Sequence, residues 1–134
     1  MELPVITMPP SGASAPIRLL VVDDDTDIFD YFREICPPPW FSIATATDGL
    51  LAEQLALKES FNVAFVDYFM EGMNGPEAAQ LLHKAQPALP VVLMSGFFSG
   101  DREKVMEEAG ASEFLVKPIT AESARAIIHR LVGG

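Results

Sequence analysis

Several features that define large classes of protein are scarce or missing in this sequence. Cys36 is the single cysteine, so the chain cannot form an internal disulfide, and a reducing compartment is expected. Apolar runs are only as long as a strand and do not approach the roughly 18 residues of a membrane-spanning helix. The first residues lack the positive leader and the long apolar centre of a secretion signal. We therefore expect a cytoplasmic protein with no membrane segment.

Positive charge is also scarce, because 9 lysine and arginine residues stand against 19 aspartate and glutamate residues, for a net charge of −10. Proteins that bind nucleic acid do so largely by neutralising phosphates, so this balance weighs against such binding. An acidic surface favours cations or basic partner surfaces instead. Solubility alone is an equally good explanation of the charge.

A proline-rich start precedes a stretch whose length predicts one domain. Residues 1–16 mix proline with serine and glycine, and we expect a flexible tail because this composition suits neither a helix nor a central strand. Residues 17–134 then form the domain, and the chain is long enough to bury roughly two thirds of its unfolded surface in one core. We detect no internal repeat and no second domain in the sequence.

Short apolar runs alternate with segments of helical spacing along this domain. We predict strands at residues 17–22, 41–46, 63–67, 91–94 and 113–116. Apolar residues at helical spacing predict helices at residues 28–35, 50–57, 75–85 and 121–132, and residues 101–109 are predicted to form a short, strongly charged helix. Five strands that alternate with five helices imply right-handed crossovers and an α/β fold, in which helices cover both faces of a parallel sheet.

Polar side chains stand at the carboxyl ends of four of the five predicted strands. They are Asp23, Asp24 and Asp25 after the first strand, Asp67 at the third, Ser95 at the fourth and Lys117 at the fifth. Because these strand ends share one edge of a doubly wound sheet, we expect the side chains to converge. Converging carboxylates repel one another, and a divalent cation with oxygen ligands relieves that repulsion. Mg²⁺ suits this setting.

The same cluster explains how an aspartate could be phosphorylated. Phosphoryl transfer requires an in-line nucleophile and neutralisation of the charge on the equatorial oxygens. Asp67 is the expected nucleophile, with the metal on one side and Lys117 and Ser95 on the other. An aspartyl phosphate is a covalent species of a recognised kind, and its formation needs no second base.

Four motifs occur in order between about residues 17 and 132. They are Leu20-Val-Val-Asp-Asp-Asp25, Asp67-x-x-Met70-x-x-Met73-x-Gly75, Met94-Ser-Gly96 and Phe114-Leu-Val-Lys-Pro118. Together they resemble a response-regulator receiver domain of two-component signalling, here residues 17–134. The resemblance implies a flavodoxin-like (βα)₅ fold with a five-stranded parallel sheet in the order 2-1-3-4-5. The chain is similar to single-domain chemotaxis-type regulators, so we expect a stand-alone receiver, although a fragment of a longer protein would show the same pattern.

The resemblance implies roles for the residues on the acidic side of the cluster. Asp67 would be the phosphoacceptor. Asp24 would coordinate Mg²⁺ directly, whereas Asp23 would do so mainly through water. Phe69 would contribute only its backbone carbonyl to the metal. These four residues are the expected metal and acceptor site.

The resemblance also implies roles for the residues on the other side. Ser95 would be the switch hydroxyl that moves to bind the phosphoryl group, and Phe114 would be the aromatic residue that follows it inward. Lys117 would pair with the phosphate, and its bond to Pro118 is expected to be cis.

Three features of the chain depart from the usual pattern of the family. Glu71 stands where a proline usually follows the methionine, so we expect a turn that is looser or aimed differently. Phe69 and Phe97 occupy positions that tune hydrolysis and are often polar in relatives, so we expect slow loss of phosphate. The family offers no role for the proline-rich start.

A receiver of this kind signals and is not a turnover enzyme. It would take a phosphoryl group from a sensor histidine kinase or a histidine phosphotransfer protein. The bound phosphate would shift a pre-existing equilibrium in the fourth helix, fifth strand and fifth helix, which a downstream partner or a second copy would read. The alternative is a receiver that never turns over phosphate and serves as a constitutive interaction or dimerisation module.

Two other kinds of acidic site fit the sequence less well. Asp23, Asp25, Asp27 and Glu34 have the spacing of a calcium-binding EF-hand loop, but Ile28 occupies the position of the required glycine. A haloacid-dehalogenase-type phosphatase also uses an aspartate at a strand end. The residue four positions after Asp23 is however Asp27 rather than threonine or valine, and the chain leaves no room for a cap.

Overall fold

The computed structural model describes residues 15–96 and 99–132, and five strands alternate with five helices within these ranges. They are β1 Ile17–Val22, α1 Asp27–Ile35, β2 Phe41–Ala46, α2 Gly49–Lys58, β3 Val63–Asp67, α3 Gly75–Ala85, β4 Val91–Ser95, α4 Arg102–Ala109, β5 Glu113–Val116 and α5 Ala121–Val132. The predicted α/β class is confirmed, and each element lies within one residue of its predicted bounds. All but the last two residues of the predicted tail lie outside the described residues, and so does Phe97.

The strands form one parallel sheet in the order β2-β1-β3-β4-β5, which confirms the predicted order. The order in which strands are added to the sheet reverses between β1 and β3: β2 is added beside β1 on one side, and β4 and β5 follow β3 on the other. In open α/β sheets, ligands bind beyond the carboxyl ends of the strands at such a point. The fold therefore places the ends of β1 and β3 where a site is expected.

One face of the sheet packs against α1 and α5 through large apolar side chains. Phe32 is fully buried, and its ring lies 4.8 Å from that of Phe65 in β3, centroid to centroid. Phe29, Ile127 and Ile128 are buried in the same cluster. Each large side chain removed from water in this way contributes roughly 1.5–3 kcal/mol. This face therefore holds a continuous core of bulky residues.

The opposite face packs against α2, α3 and α4 and buries smaller side chains. The buried residues of α2 are Gly49, Ala52 and Ala56, whereas Leu50 is 58% exposed and Leu57 is 69% exposed. Three of the four leucines that predicted α2 are thus exposed, whereas Leu55 is half-buried and packs against this core. A Cβ atom on Gly49 would lie only 2.4 Å from the Sδ atom of Met73, so α2 approaches its neighbour too closely for a larger residue.

Each helix that the structure describes is shorter or more polar than a membrane crossing requires.

Candidate functional site

Asp67 is the last residue of β3, a strand in which every residue is buried. The N–H of Tyr68, the next residue, donates to the carbonyl of Met94 at 2.7 Å, so the pairing of β3 with β4 extends just past Asp67. The side chain of Asp67 is therefore carried by rigid backbone at the edge of the sheet. Only 6% of the residue is exposed.

Gly75 begins α3 directly beside this strand end. Its N–H donates to the carbonyl of Tyr68 at 2.8 Å, and a Cβ atom at position 75 would lie 2.8 Å from the carbonyl oxygen of Asp67. The helix can therefore approach β3 closely because this residue has no side chain. Asn74 and Glu77 form a capping box that fixes the start of the helix.

Two more carboxylates reach the same place from the end of β1. Asp23 is fully buried, and its Oδ1 atom accepts a hydrogen bond from the N–H of Asp25 at 2.9 Å. Asp24 is exposed, and its Oδ2 atom accepts a hydrogen bond from the N–H of Glu71 at 3.0 Å. Asp23, Asp24 and Asp67 each offer an oxygen that lies within 4.8 Å of the other two.

Lys117 places its ammonium group between two of these carboxylates. Its Nζ atom lies 2.8 Å from Asp23 Oδ2 and 2.9 Å from Asp67 Oδ1. The side chain comes from the end of β5, and its backbone N–H donates to the carbonyl of Ser95 at 2.8 Å. The register of four parallel strands therefore brings together residues that are 94 positions apart in the sequence.

The pKa values of Asp67 and Lys117 are both raised by their surroundings, for different reasons. Burial raises the pKa of Asp67 above its ordinary value of 3.8, the hydrogen bond from Lys117 lowers it in part, and repulsion from Asp23 and Asp24 raises it further. Burial lowers the pKa of Lys117, but the hydrogen bonds to Asp23 and Asp67 outweigh this effect and raise it overall. Lys117 is thus a cation at neutral pH.

The donor set of the site fits a hard divalent cation. Three carboxylates and one ammonium group leave two negative charges in excess. Repulsion from Asp23 and Asp24 contributes to the raised pKa of Asp67. Mg²⁺ prefers oxygen ligands and is usually held by one or two carboxylates together with waters. Asp23, Asp24 and Asp67 are the residues that would hold it.

The remaining residues predicted for the site occupy varied surroundings. Ser95 ends β4 and is 1% exposed, and Phe114 in β5 is half-buried beneath the guanidinium of Arg102, whose Cζ atom lies 4.9 Å from the ring centroid. Phe69 is 62% exposed, and its ring meets that of Tyr68 edge-on at 4.6 Å. The bond between Lys117 and Pro118 is cis.

Two contributors to the site were not identified from the sequence. The N–H of Glu71 contacts Asp24, and the missing side chain of Gly75 lets α3 approach Asp67. Gly75 does stand in the quoted motif, so a signal for it existed. The contribution of Glu71 is a backbone atom, which every residue except proline possesses, so the sequence carried only the departure from proline as a signal.

Comparison with known proteins places this geometry in a family. The family model described as the response regulator receiver domain matches residues 19–129. The transcriptional regulatory protein TctD of Salmonella typhimurium (strain SL1344) is 31% identical over 122 residues, which cover 87% of this chain and 54% of TctD. The chain thus spans about half the length of this curated relative.

Solved receiver structures share the fold. A CheY-like response regulator receiver domain protein from Methanospirillum hungatei JF-1 is 26% identical with a TM-score of 0.79, over 87% of this chain and 93% of the other. The receiver domain of the sensor histidine kinase PA1611 from Pseudomonas aeruginosa PAO1, which has a magnesium ion coordinated in its active-site cleft, is 21% identical. Its TM-score is 0.75, over 90% of this chain and all of that one. The chain belongs to the response regulator receiver domain family.

Proposed function

We propose that this receiver accepts a phosphoryl group on Asp67 and that Mg²⁺ supports the transfer. Phosphorylation on aspartate is general for the family, and receiver domains generally bind Mg²⁺ at this site. The observation that carries the proposal for this chain is the position of Lys117, whose Nζ atom lies 2.9 Å from Asp67 Oδ1 in a cluster of three carboxylates. This cluster provides the nucleophile, the fixed positive charge and the metal ligands that the transfer needs.

In the proposed transfer, a carboxylate oxygen of Asp67 attacks the phosphorus of a phosphohistidine. The new P–O bond forms as the P–N bond breaks, and the released imidazole takes up a proton. Lys117 is already beside the acceptor and neutralises charge on the phosphoryl oxygens without reorganisation. Mg²⁺ when bound would neutralise further negative charge on the transferred group. Burial of Asp23 and Asp67 strengthens these interactions because it excludes water.

The proposed response to the phosphate passes through Ser95 and Phe114. Ser95 would move to bind the phosphoryl group, and Phe114 would follow it inward at the β4–β5 side of the sheet. The affected surface is formed by α4, β5 and α5. An ion pair between Arg130 in α5 and Glu113 in β5, at 2.8 Å, supports the view that these two elements respond together.

The partners are proposed at the level of class. Receiver domains in general interact with histidine kinases and downstream effectors, and they are signalling modules rather than turnover enzymes. We propose that a sensor histidine kinase or a histidine phosphotransfer protein supplies the phosphoryl group. A downstream protein or a second copy of the chain would then read the α4-β5-α5 surface. A cytoplasmic location is part of the proposal, since response regulators are typically cytoplasmic.

Incubation with acetyl phosphate and Mg²⁺, followed by intact-mass measurement, tests this function. The expected result is a gain of one phosphoryl group that Asp67→Asn abolishes. Asp30→Asn is the matched control, because it removes an exposed carboxylate in α1 outside the cluster and should leave the gain unchanged. If the wild type shows no gain, or if the gain survives Asp67→Asn, the chain would be a constitutive interaction or dimerisation module instead.

Slow loss of the phosphate is a second part of the proposal. Phe69 lies two residues after the acceptor and is 62% exposed beside the ring of Tyr68, and we propose that it shields the phosphoryl group from attacking water. We expect Phe69→Asn to shorten the lifetime of the phosphorylated protein at constant Mg²⁺. Leu57→Asn, another exposed apolar side chain far along α2, serves as the control. Fast loss from the wild type that Phe69→Asn does not change would contradict the proposal.

A further inference from the structure

The backbone amide of Glu71 links the turn after β3 to the carboxylate cluster. Its N–H donates to Asp24 Oδ2 at 3.0 Å. Asp24 is the exposed member of the cluster, whereas Asp23 and Asp67 are buried. Glu71 therefore contacts the carboxylate whose side chain has the greatest freedom to turn toward water.

When no cation is present, repulsion within the cluster favours rotation of the Asp24 side chain toward water. Asp24 carries the same charge as its two neighbours, and the repulsion between them falls if its side chain rotates outward. A hydrogen bond from a backbone N–H to a carboxylate is charge-assisted and therefore stronger than one between neutral groups. The bond from Glu71 opposes the rotation and keeps the Asp24 oxygen within 4.8 Å of the other two carboxylates.

The turn that carries Glu71 leads directly into an anchored segment at the start of α3. Gly72 has a φ of 84°, a value that suits the third residue of a type II turn, and Glu71 precedes it. The capping box of Asn74 and Glu77 and the bond from Gly75 to Tyr68 anchor the residues that follow. The backbone that carries the Glu71 amide is therefore anchored within four residues of it.

We infer that the Glu71 amide is a positioning group for the proposed Mg²⁺ site, because it holds Asp24 in place before the cation arrives. This inference rests on the proposed function, which supplies the cation. A proline at position 71 has no N–H to donate, so a chain with proline there would need to order Asp24 as the cation binds. Loss of one hydrogen bond of this strength predicts Mg²⁺ binding that is about fivefold to tenfold weaker.

Titration calorimetry with MgCl₂ alone tests the inference on the full chain. Glu71→Pro removes the N–H, and proline is favoured at the turn position that precedes a residue with positive φ such as Gly72, so we expect the fold to survive. Glu71→Ala is the matched control, because it loses the same carboxylate and keeps the N–H. The expected result is a dissociation constant that rises about fivefold to tenfold in Glu71→Pro and stays within about twofold in Glu71→Ala. An equal or tighter constant in Glu71→Pro would overturn the inference.

Hydrogen exchange of the wild-type protein gives a second measurement that does not depend on the proline variant. The Glu71 amide should exchange slowly without Mg²⁺ and remain slow when Mg²⁺ is added. Faster exchange upon addition of Mg²⁺ would mean that the amide competes with the cation, which contradicts the inference. Failure of the wild type to bind Mg²⁺ would overturn the proposed function as well, whereas normal binding and phosphorylation with an unchanged Glu71→Pro constant would remove this inference alone.

Discussion

The two faces of the sheet are covered in different ways. On one face, α1 and α5 bury large side chains such as Phe29, Phe32 and Ile128. On the other face, the helices bury many alanines, among them Ala52 and Ala79. Small residues let helices sit close to the sheet, but they remove less apolar surface from water than phenylalanine or isoleucine does. The face of α1 and α5 therefore has the larger share of bulky core.

The contrast is greatest between α1 and α4. Phe29, Phe32 and Ile35 are buried in the nine residues of α1, whereas in α4, all of which is described, Ala109 is the buried residue. Segments with few buried contacts are those that move at low free-energy cost. Of the two helices in the surface that our proposal expects to respond to phosphorylation, α4 is thus held less firmly by its own side chains than α5.

The largest expected effect is on the free energy of unfolding, when a side chain is truncated to alanine in α1 and, for comparison, in α4 on the opposite face. Phe32→Ala removes a fully buried ring that packs on Phe65, and we expect the free energy of unfolding to fall by about 3–5 kcal/mol. Val105→Ala in α4 removes a half-buried side chain and should cost less than about 1 kcal/mol. Urea denaturation of both variants checks this. Equal losses would show that α4 is anchored as firmly as α1.

A smaller effect is expected from pH on the face of α1 and α5. Burial raises the pKa of the Cys36 thiol from 9.0 to about 12, and Arg125 lowers it in part. The unfolded chain loses this proton near pH 9.0 while the folded protein retains it. The contribution of Cys36 to stability is therefore complete below pH 9 and declines as the pH rises toward 12, by about 1 kcal/mol between pH 9 and 10.

Denaturation of the wild type and of Cys36→Ala at several pH values isolates this contribution. Other groups titrate in the same range, but they are common to both proteins, so the difference between the two curves reports Cys36. The difference should be constant below pH 8 and should change above pH 9, with the wild type losing stability faster. Parallel curves up to pH 11 would show that the thiol is not in a dry environment.

The smallest effect is expected on the outer surface of α2. Leu57 is 69% exposed, so Leu57→Gln exposes no core and should change the free energy of unfolding by no more than about 0.5 kcal/mol. The control is Ala56→Gln, the neighbouring buried position, where a larger side chain should be strongly destabilising. Thermal melts of both variants check the orientation of the helix. A large loss from Leu57→Gln would place this leucine in the core.

Much of the fold could be predicted because its signals are local. Apolar runs of strand length separated by segments of helical spacing define the order of the elements, and prolines and glycines mark their ends. Convergence of Asp67 and Lys117 followed from the general rule that parallel strands end at one edge. Their actual distance depends on the pairing of β3 with β4 and of β4 with β5, which a single sequence does not reveal.

The orientation of α2 could not be predicted for a physical reason. Leu50, Leu51, Leu55 and Leu57 are distributed around the helix and do not define one face. The space next to α3 is narrow, since a Cβ on Gly49 would already collide with Met73. Small residues of α2 therefore face the core there instead of leucines. Tertiary packing thus overrides the usual preference for burying the larger apolar residue.

The small number of buried residues in α4 has a consequence for which positions tolerate substitution. Ala109 is the one buried residue of α4, all of which the structure describes. Most exposed positions of α4 are therefore not constrained by the stability of the fold. Mutations there can change shape and charge, and hence partner specificity, at little cost to the stability of the fold. The residues that bury the core and the residues that a partner would contact on α4 are therefore largely different ones.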